Sequence, residues 1–245
     1  MRRSSIIIFL LFGILFVSVN VKISQYYHIK GFYVTVKSSS DSEGYYQYLP
    51  YLFIKNDVLR QPCAALLDNG LRLNKFTCGV AILEAPFFFI AYFISSISGN
   101  HVNGFEEIYG LFIVIAACVY MYIALYVLYV MLSKKTSWVI ALISVIAIYL
   151  GTNLFYYTVV ESGMSHAYSF FCFVMFVYFT DKYYIQKSLK NTLALGLFLG
   201  IATLIRPTNI LLTILFLFYE TYTIEDVKKR IVFHFKHYYN FTLAF

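Results

Sequence analysis

Asp41 and Glu43, in the stretch SSSDSEGYYQYLPYLF (residues 38–53), stand two positions apart in a chain that is only 13% charged. Serines precede them and Gly44 follows, a composition that favours a turn or loop over a helix. In extended or turn backbone both carboxylates then lie on one side, whereas on a helix they would diverge by about 200°. Two carboxylates held together can seat a divalent cation, Mg or Mn, through their oxygens, or one can act as a general base. The plain alternative is a solvated loop with incidental charge. Tyr45, Tyr46, Tyr48, Tyr51 and Phe53 follow at once. Such residues suit a segment at headgroup level, ring bodies towards lipid and hydroxyls towards water.

Two further polar stretches carry usable chemistry. In ESGMSHAYS (161–169) Glu161 and His166 offer an acid and an imidazole five residues apart, able to orient a phosphate or an acceptor hydroxyl. The alternative there is a polar cap between two helices. In RPTN (206–209) the Arg206 guanidinium suits bidentate contact with phosphate oxygens, and Asn209, one turn on, can reach the same ligand. Its alternative is an arginine snorkelling to the interface. His28, His101, His234 and His237 form no metal-ligand pattern. Cys118 and Cys172 sit in apolar runs as small hydrophobes, while Cys63 and Cys78 share one loop and could pair in an oxidising compartment.

The elements that must position these groups are membrane helices. The chain of 245 residues is 60% apolar and 20% aromatic, with a mean hydropathy of +0.71. That composition excludes an ordinary soluble domain. The net charge of +7 comes from basic residues scattered between apolar runs, so it orients the chain in a bilayer and does not mark a nucleic-acid surface. The start, MRRSSIIIFLLFGILFVSV, has the charges and apolar run of a signal sequence without a small-residue cleavage site, which predicts an uncleaved anchor.

Crossings are predicted at about 5–21, 108–132, 138–157, 163–180, 189–205 and 208–222. The last two come from one apolar run that as a single helix would measure about 51 Å, against a hydrocarbon core of about 30 Å. Pro207 breaks it, because proline lacks a backbone donor and biases its predecessor away from the helix. Segment 76–98 is long enough to span but carries Glu84 beside Ala85-Pro86. If it does not cross, Lys134-Lys135, Lys182, Lys187, Lys190, Lys228, Lys229 and Arg230 all join Arg2 and Arg3 on the cytoplasmic side, as the positive-inside bias requires. It is therefore predicted as a re-entrant or interfacial element of a long outer loop, roughly 23–107. The fold class is all-α, a polytopic transmembrane helix bundle in one membrane domain. The three polar stretches then fall on one outer face.

With the quoted acid pair, the acidic second loop and the Arg-Pro turn in place, the chain resembles the GT-C superfamily of integral membrane glycosyltransferases. It is most similar to bacterial relatives of the dolichyl-phosphate-mannose protein mannosyltransferases. The stretches SDSEGYYQYLP, NKFTCGVAILEAPFFF, GTNLFYYTVVESGMSHAYSF and GLFLGIATLIRPTNILL carry the likeness. The resemblance implies sugar transfer from a polyprenyl-phosphate donor to a glycan, lipid or protein acceptor on the outer face of a bacterial plasma membrane. It makes Asp41 the acid that deprotonates the acceptor or helps place a metal, with Glu43 in support. Glu161 and His166 would serve the substrate, and Arg206 and Asn209 the donor phosphate. Such enzymes are usually longer, so a truncated or inactive remnant is one alternative expectation; a transporter or flippase for a lipid-linked or anionic solute is the other.

Overall fold

The computed structural model describes residues 3–37, 41–62, 65–68, 72–99 and 102–236. Its helices are α1 (Arg3–Tyr27), α2 (Asp41–Tyr46), α3 (Tyr48–Phe53), α4 (Gly79–Ile97), α5 (Glu107–Leu132), α6 (Trp138–Gly151), α7 (Leu154–Val159), α8 (Ser165–Ile185), α9 (Leu189–Ile205), α10 (Leu212–Leu217) and α11 (Ile224–Lys236). A two-residue antiparallel pair, β1 (Ala65–Leu66) with β2 (Arg72–Leu73), lies before α4. The fold is all-α, a bundle built for a membrane. Ile6–Tyr27, Gly79–Ile97 and Glu107–Leu132 are each long and apolar enough to cross a bilayer, and α6, α9 and Pro207–Leu217 are shorter apolar stretches.

Helix α5 is the central post, and its small residues let neighbours come close. Ala116, Ala117, Cys118 and Ala124 are fully buried, and a Cβ on Gly110 would stand 1.9 Å from the Phe32 carbonyl oxygen. Helix α1 runs antiparallel to it. Phe9 meets Tyr122 and Tyr126 at ring separations of 5.1 and 4.5 Å, while Val17 and Val21 pack near Val114 and Cys118. Beyond α1 the chain turns, and Glu107 accepts hydrogen bonds from the Phe32 and Tyr33 amides at 2.8 and 3.1 Å. Residues 28–106 therefore leave and return at the same end of the bundle, here termed the loop end.

At the opposite end, Lys135 pairs with Glu220, and the Tyr219 hydroxyl donates to Asp181 at 3.2 Å. Lys134, Lys182, Lys187 and Lys190 belong to the same turns, which makes this the lysine end. Helix α8 runs from the loop side to the lysine end, and α9 returns. The turn between them is closed by Ser188, whose hydroxyl accepts from the Asn191 amide at 3.2 Å, and by Asn191, whose side chain donates to Gln186 and Lys182 carbonyls.

The apolar run 189–222 folds back on itself, with the turn at Arg206-Pro207. Its second limb is a 3-10 stretch, Pro207–Leu211, followed by α10, and it ends at Leu217 instead of continuing as one helix to 222. The expected loop at Asp41 and Glu43 is corrected. These residues open α2, where both acids lie in the first turn and gain from the helix dipole. Burial completes the helix: Tyr46 is fully buried and Tyr45 packs edge-on against Phe76 at 5.0 Å. Of the aromatics expected at headgroup level, Tyr48 and Tyr51 are half-buried and Phe53 is exposed, while the first two are corrected. Tyr45 and Tyr46 belong to the core, and the Tyr46 hydroxyl donates to the Gly104 carbonyl. Of the cysteines expected to pair, Cys63 lies outside the described residues and Cys78 is a free thiol.

Candidate active site

The Arg206-Pro207 turn places the arginine by backbone logic. Arg206 is the last residue before a proline, so it takes extended geometry (φ −146°, ψ 124°) and leaves the axis of α9. Its Nε donates to the Ser165 hydroxyl at 2.9 Å, and its Nη2 approaches His166 Nε2 at 3.4 Å. An arginine N–H can only donate, so this ring nitrogen accepts and the imidazole proton sits on Nδ1. Tyr157 stacks flat on the His166 ring, with centroids 3.8 Å apart and planes 17° off parallel. Asn209 donates to the Ala202 carbonyl at 2.9 Å and reaches the Ser169 hydroxyl at 3.5 Å. Arg206, Asn209, Ser165, His166 and Ser169 therefore form one half-buried polar cluster between α8 and the turn after α9.

Helix α4 supports this cluster from beneath. Thr77 donates to the Ile205 carbonyl at 2.9 Å, and a Cβ on Gly79 would fall 2.3 Å from the Ile205 amide nitrogen. One turn into α4, Glu84 is fully buried and accepts from the Tyr168 hydroxyl at 3.1 Å. Its other oxygen has no hydrogen-bond partner among the described residues. The spacing alone treats Glu84 as a helix break beside Pro86, yet α4 continues through both positions. The signal that could have found it is the charge itself, since an ionisable residue inside an apolar span is expensive unless it has a function.

The acidic helix and the second polar stretch also meet. A Cβ on Gly163 would stand 2.7 Å from Ser42 Cβ, so α2 packs on the 161–164 turn through positions where only small side chains fit. Glu161 is half-buried in that turn, where its carbonyl accepts from the Met164 amide at 3.0 Å. Asp41 is half-buried at the start of α2. Among the described residues no hydrogen bond or ion pair joins Asp41 or Glu161 to Arg206. Glu43 faces elsewhere, into a cavity of about 270 Å³ lined by Lys37, Tyr51, Lys55, Asn103 and Phe105. Burial, with the Glu84 carboxylate adding to it, holds the Tyr46 phenol well above its usual range, so it remains a donor inside the loop.

Residues 75–245, more than half of the chain, match the model of the dolichyl-phosphate-mannose-protein mannosyltransferase family. The chain belongs to that family. It is an integral membrane glycosyltransferase of the mannosyltransferase type, and no curated protein and no solved structure matches it. Within this mannosyltransferase chain the match takes in Glu84, Glu161, His166, Arg206 and Asn209, while α2 with Asp41 and Glu43 lies ahead of it. The residues do not fit a cation shared by Asp41 and Glu43. On α2 an i, i+2 pair is turned about 200° apart, and among the described residues no group of three His, Cys, Asp or Glu side chains stands together to hold a metal.

Proposed function

We propose that this mannosyltransferase-family chain moves a sugar from a polyprenyl-phosphate donor onto an acceptor hydroxyl at the loop end of the bundle. The observation that carries the reading is the Arg206 cluster, a guanidinium fixed by Ser165 at 2.9 Å and by His166, with Asn209 one turn away. It is the arrangement an anionic phosphate group needs at a membrane surface. Asp41 is the base. It takes the proton from the acceptor hydroxyl, whose oxygen attacks the anomeric carbon as the bond from that carbon to the phosphate oxygen breaks. The leaving polyprenyl phosphate keeps the electron pair, and Arg206 with Asn209 stabilises its charge. Glu161, in the turn that α2 contacts, places the acceptor, and Tyr157 braces His166. Glycosyl phosphates already carry a good leaving group, so positioning and charge neutralisation are the main tasks left to the protein.

The lysine end is proposed as cytoplasmic and the loop end as external, in a bacterial plasma membrane, in keeping with the positive-inside bias. The acceptor is a hydroxyl-bearing glycan, lipid or protein. The test is a transfer assay with a polyprenyl-phosphate sugar and the Asp41→Asn protein in membranes. Transfer falls by roughly two to four orders of magnitude while the protein still inserts; transfer at the parent rate would remove Asp41 from the mechanism.

A further inference from the structure

Helix α11, IEDVKKRIVFHFK (224–236), begins at a reciprocal cap. The Asp226 amide donates to the Thr223 hydroxyl at 3.2 Å, and the Asp226 carboxylate accepts from the Thr223 amide at 3.0 Å and from its hydroxyl at 2.8 Å. At 3.6 residues per turn, Ile224, Val227, Ile231 and Phe235 fall within an arc of about 80°. Phe233 lies on the opposite side and Arg230 beside the arc, about 100° from its centre, and they are the residues that hold the bundle. The Arg230 guanidinium carbon sits 3.7 Å from the Tyr184 ring centroid and an Nη2 donates to the Tyr219 carbonyl at 2.6 Å. Phe233 packs on Tyr184 at 5.7 Å and lies 3.9 Å beneath the Lys187 ammonium.

The apolar arc therefore points away from the protein. Ile224 and Phe235 are each 78% exposed and Ile231 is 48% exposed. The level of the helix is fixed by the contacts of Tyr219 with Asp181 and of Glu220 with Lys135, at the lysine end where the long helices stop. Trp138, exposed at the first position of α6, marks the same level. Lys228 borders the arc, Lys229 and Lys236 lie towards its far side, all three are exposed, and Lys134, Lys187 and Lys190 add charge of the same sign nearby.

In a chain that spans a bilayer, an outward apolar stripe bordered by a lysine at the level where helices end meets the boundary of acyl chains and headgroups. We infer that α11 is an interfacial helix that buries Ile224, Ile231 and Phe235 at that boundary and sets Lys228, with Lys134 and Lys190 of the same end, against the phosphates of anionic lipids. The inference is independent of the transfer chemistry. Its reach extends to the site, because Arg230 grips Tyr219, and Tyr219 lies two residues past α10, the end of the limb that begins at Arg206.

The test places Phe235→Trp in a Trp138→Phe background, which leaves one indole in the chain. The full chain is reconstituted in vesicles of phosphatidylcholine alone or with about a third phosphatidylglycerol. Lipids brominated on the upper acyl chain should quench the introduced indole at least about twofold, acrylamide in the water should quench it weakly, and phosphatidylglycerol should strengthen the lipid quenching. Lys134→Gln, Lys190→Gln and Lys228→Gln together should abolish that dependence on anionic lipid. Strong acrylamide quenching with none from lipid would overturn the proposal by leaving α11 in water. Protection from both quenchers would overturn it by placing another segment or a second copy on the arc. No response to phosphatidylglycerol in the parent protein would overturn the anionic-lipid assignment.

Discussion

Arg206 donates its Nε hydrogen to Ser165 across 41 positions of sequence, at 2.9 Å, and this bond fixes where the guanidinium fork can point. Lysine has neither the fork nor the Nε donor. Arg206→Lys should therefore keep the charge and lose the geometry, lowering kcat/KM for the polyprenyl donor by about 10- to 100-fold. Ser165→Ala should cost less, about 2- to 10-fold, because the arginine survives but is less constrained. Donor titrations on the two variants check the ranking; equal and negligible losses would detach this pair from the donor.

Asp41 and Glu43 should not behave as a pair. Because α2 turns them apart, Glu43→Gln is expected to keep transfer within about tenfold of the parent, while Asp41→Asn loses roughly two orders of magnitude or more. Measuring both at saturating donor separates a base from a neighbour. Equivalent collapse of both variants would mean that the carboxylates cooperate despite the helix.

Tyr168→Phe preserves volume and removes the one hydrogen bond that Glu84 accepts among the described residues. A buried polar group left without a partner costs about 1–3 kcal/mol. The variant should unfold at lower temperature in detergent, and Tyr168→Phe combined with Glu84→Leu should recover part of the loss, since both polar groups are then gone. A double variant less stable than the single would assign Glu84 further polar contacts.

Gly110→Ala probes the contact of α5 with the chain at Phe32. A Cβ there has 1.9 Å to the Phe32 oxygen, so backbone must move. Overpacking of this kind costs about 1–3 kcal/mol. Thermal denaturation should register it, whereas Gly200→Ala, with nothing within 4 Å of the added carbon, should match the parent or exceed it.

Reporter fusions address orientation. One placed after Lys135 should report from the cytoplasm and one after Ser162 from outside. The reverse pattern would turn the bundle over and move the Arg206 cluster to the cytoplasmic face.

Much of this arrangement is legible in residue order because membrane helices are long apolar runs and prolines punctuate them. The reversal at Arg206-Pro207 follows from the length of the run and the missing amide of Pro207, and the cluster of Arg206 with His166 follows from both stretches being polar. The acid pair departs from its local signal for a physical reason. Serine and glycine argue for a loop, but the burial of Tyr45 and Tyr46 and the helix dipole outweigh that preference. In sequence Glu84 reads as a charge beside the Ala85-Pro86 break, and only packing reveals that it faces Tyr168. The direction of α11's apolar arc is equally hidden, since Arg230 and Phe233 choose its inner side through partners far away in sequence.

Glu107, by holding the amides of Phe32 and Tyr33, acts as a buckle on everything between α1 and α5. The helices on either side, α1 and α5, also meet one another directly. The entropic cost of closing such a belt grows only slowly with its length. The belt is also part of the frame, because α4 within it braces the Ile205 turn through Thr77 and meets Tyr168 through Glu84. Loosening the buckle at Glu107 therefore loosens the brace under the Arg206 turn.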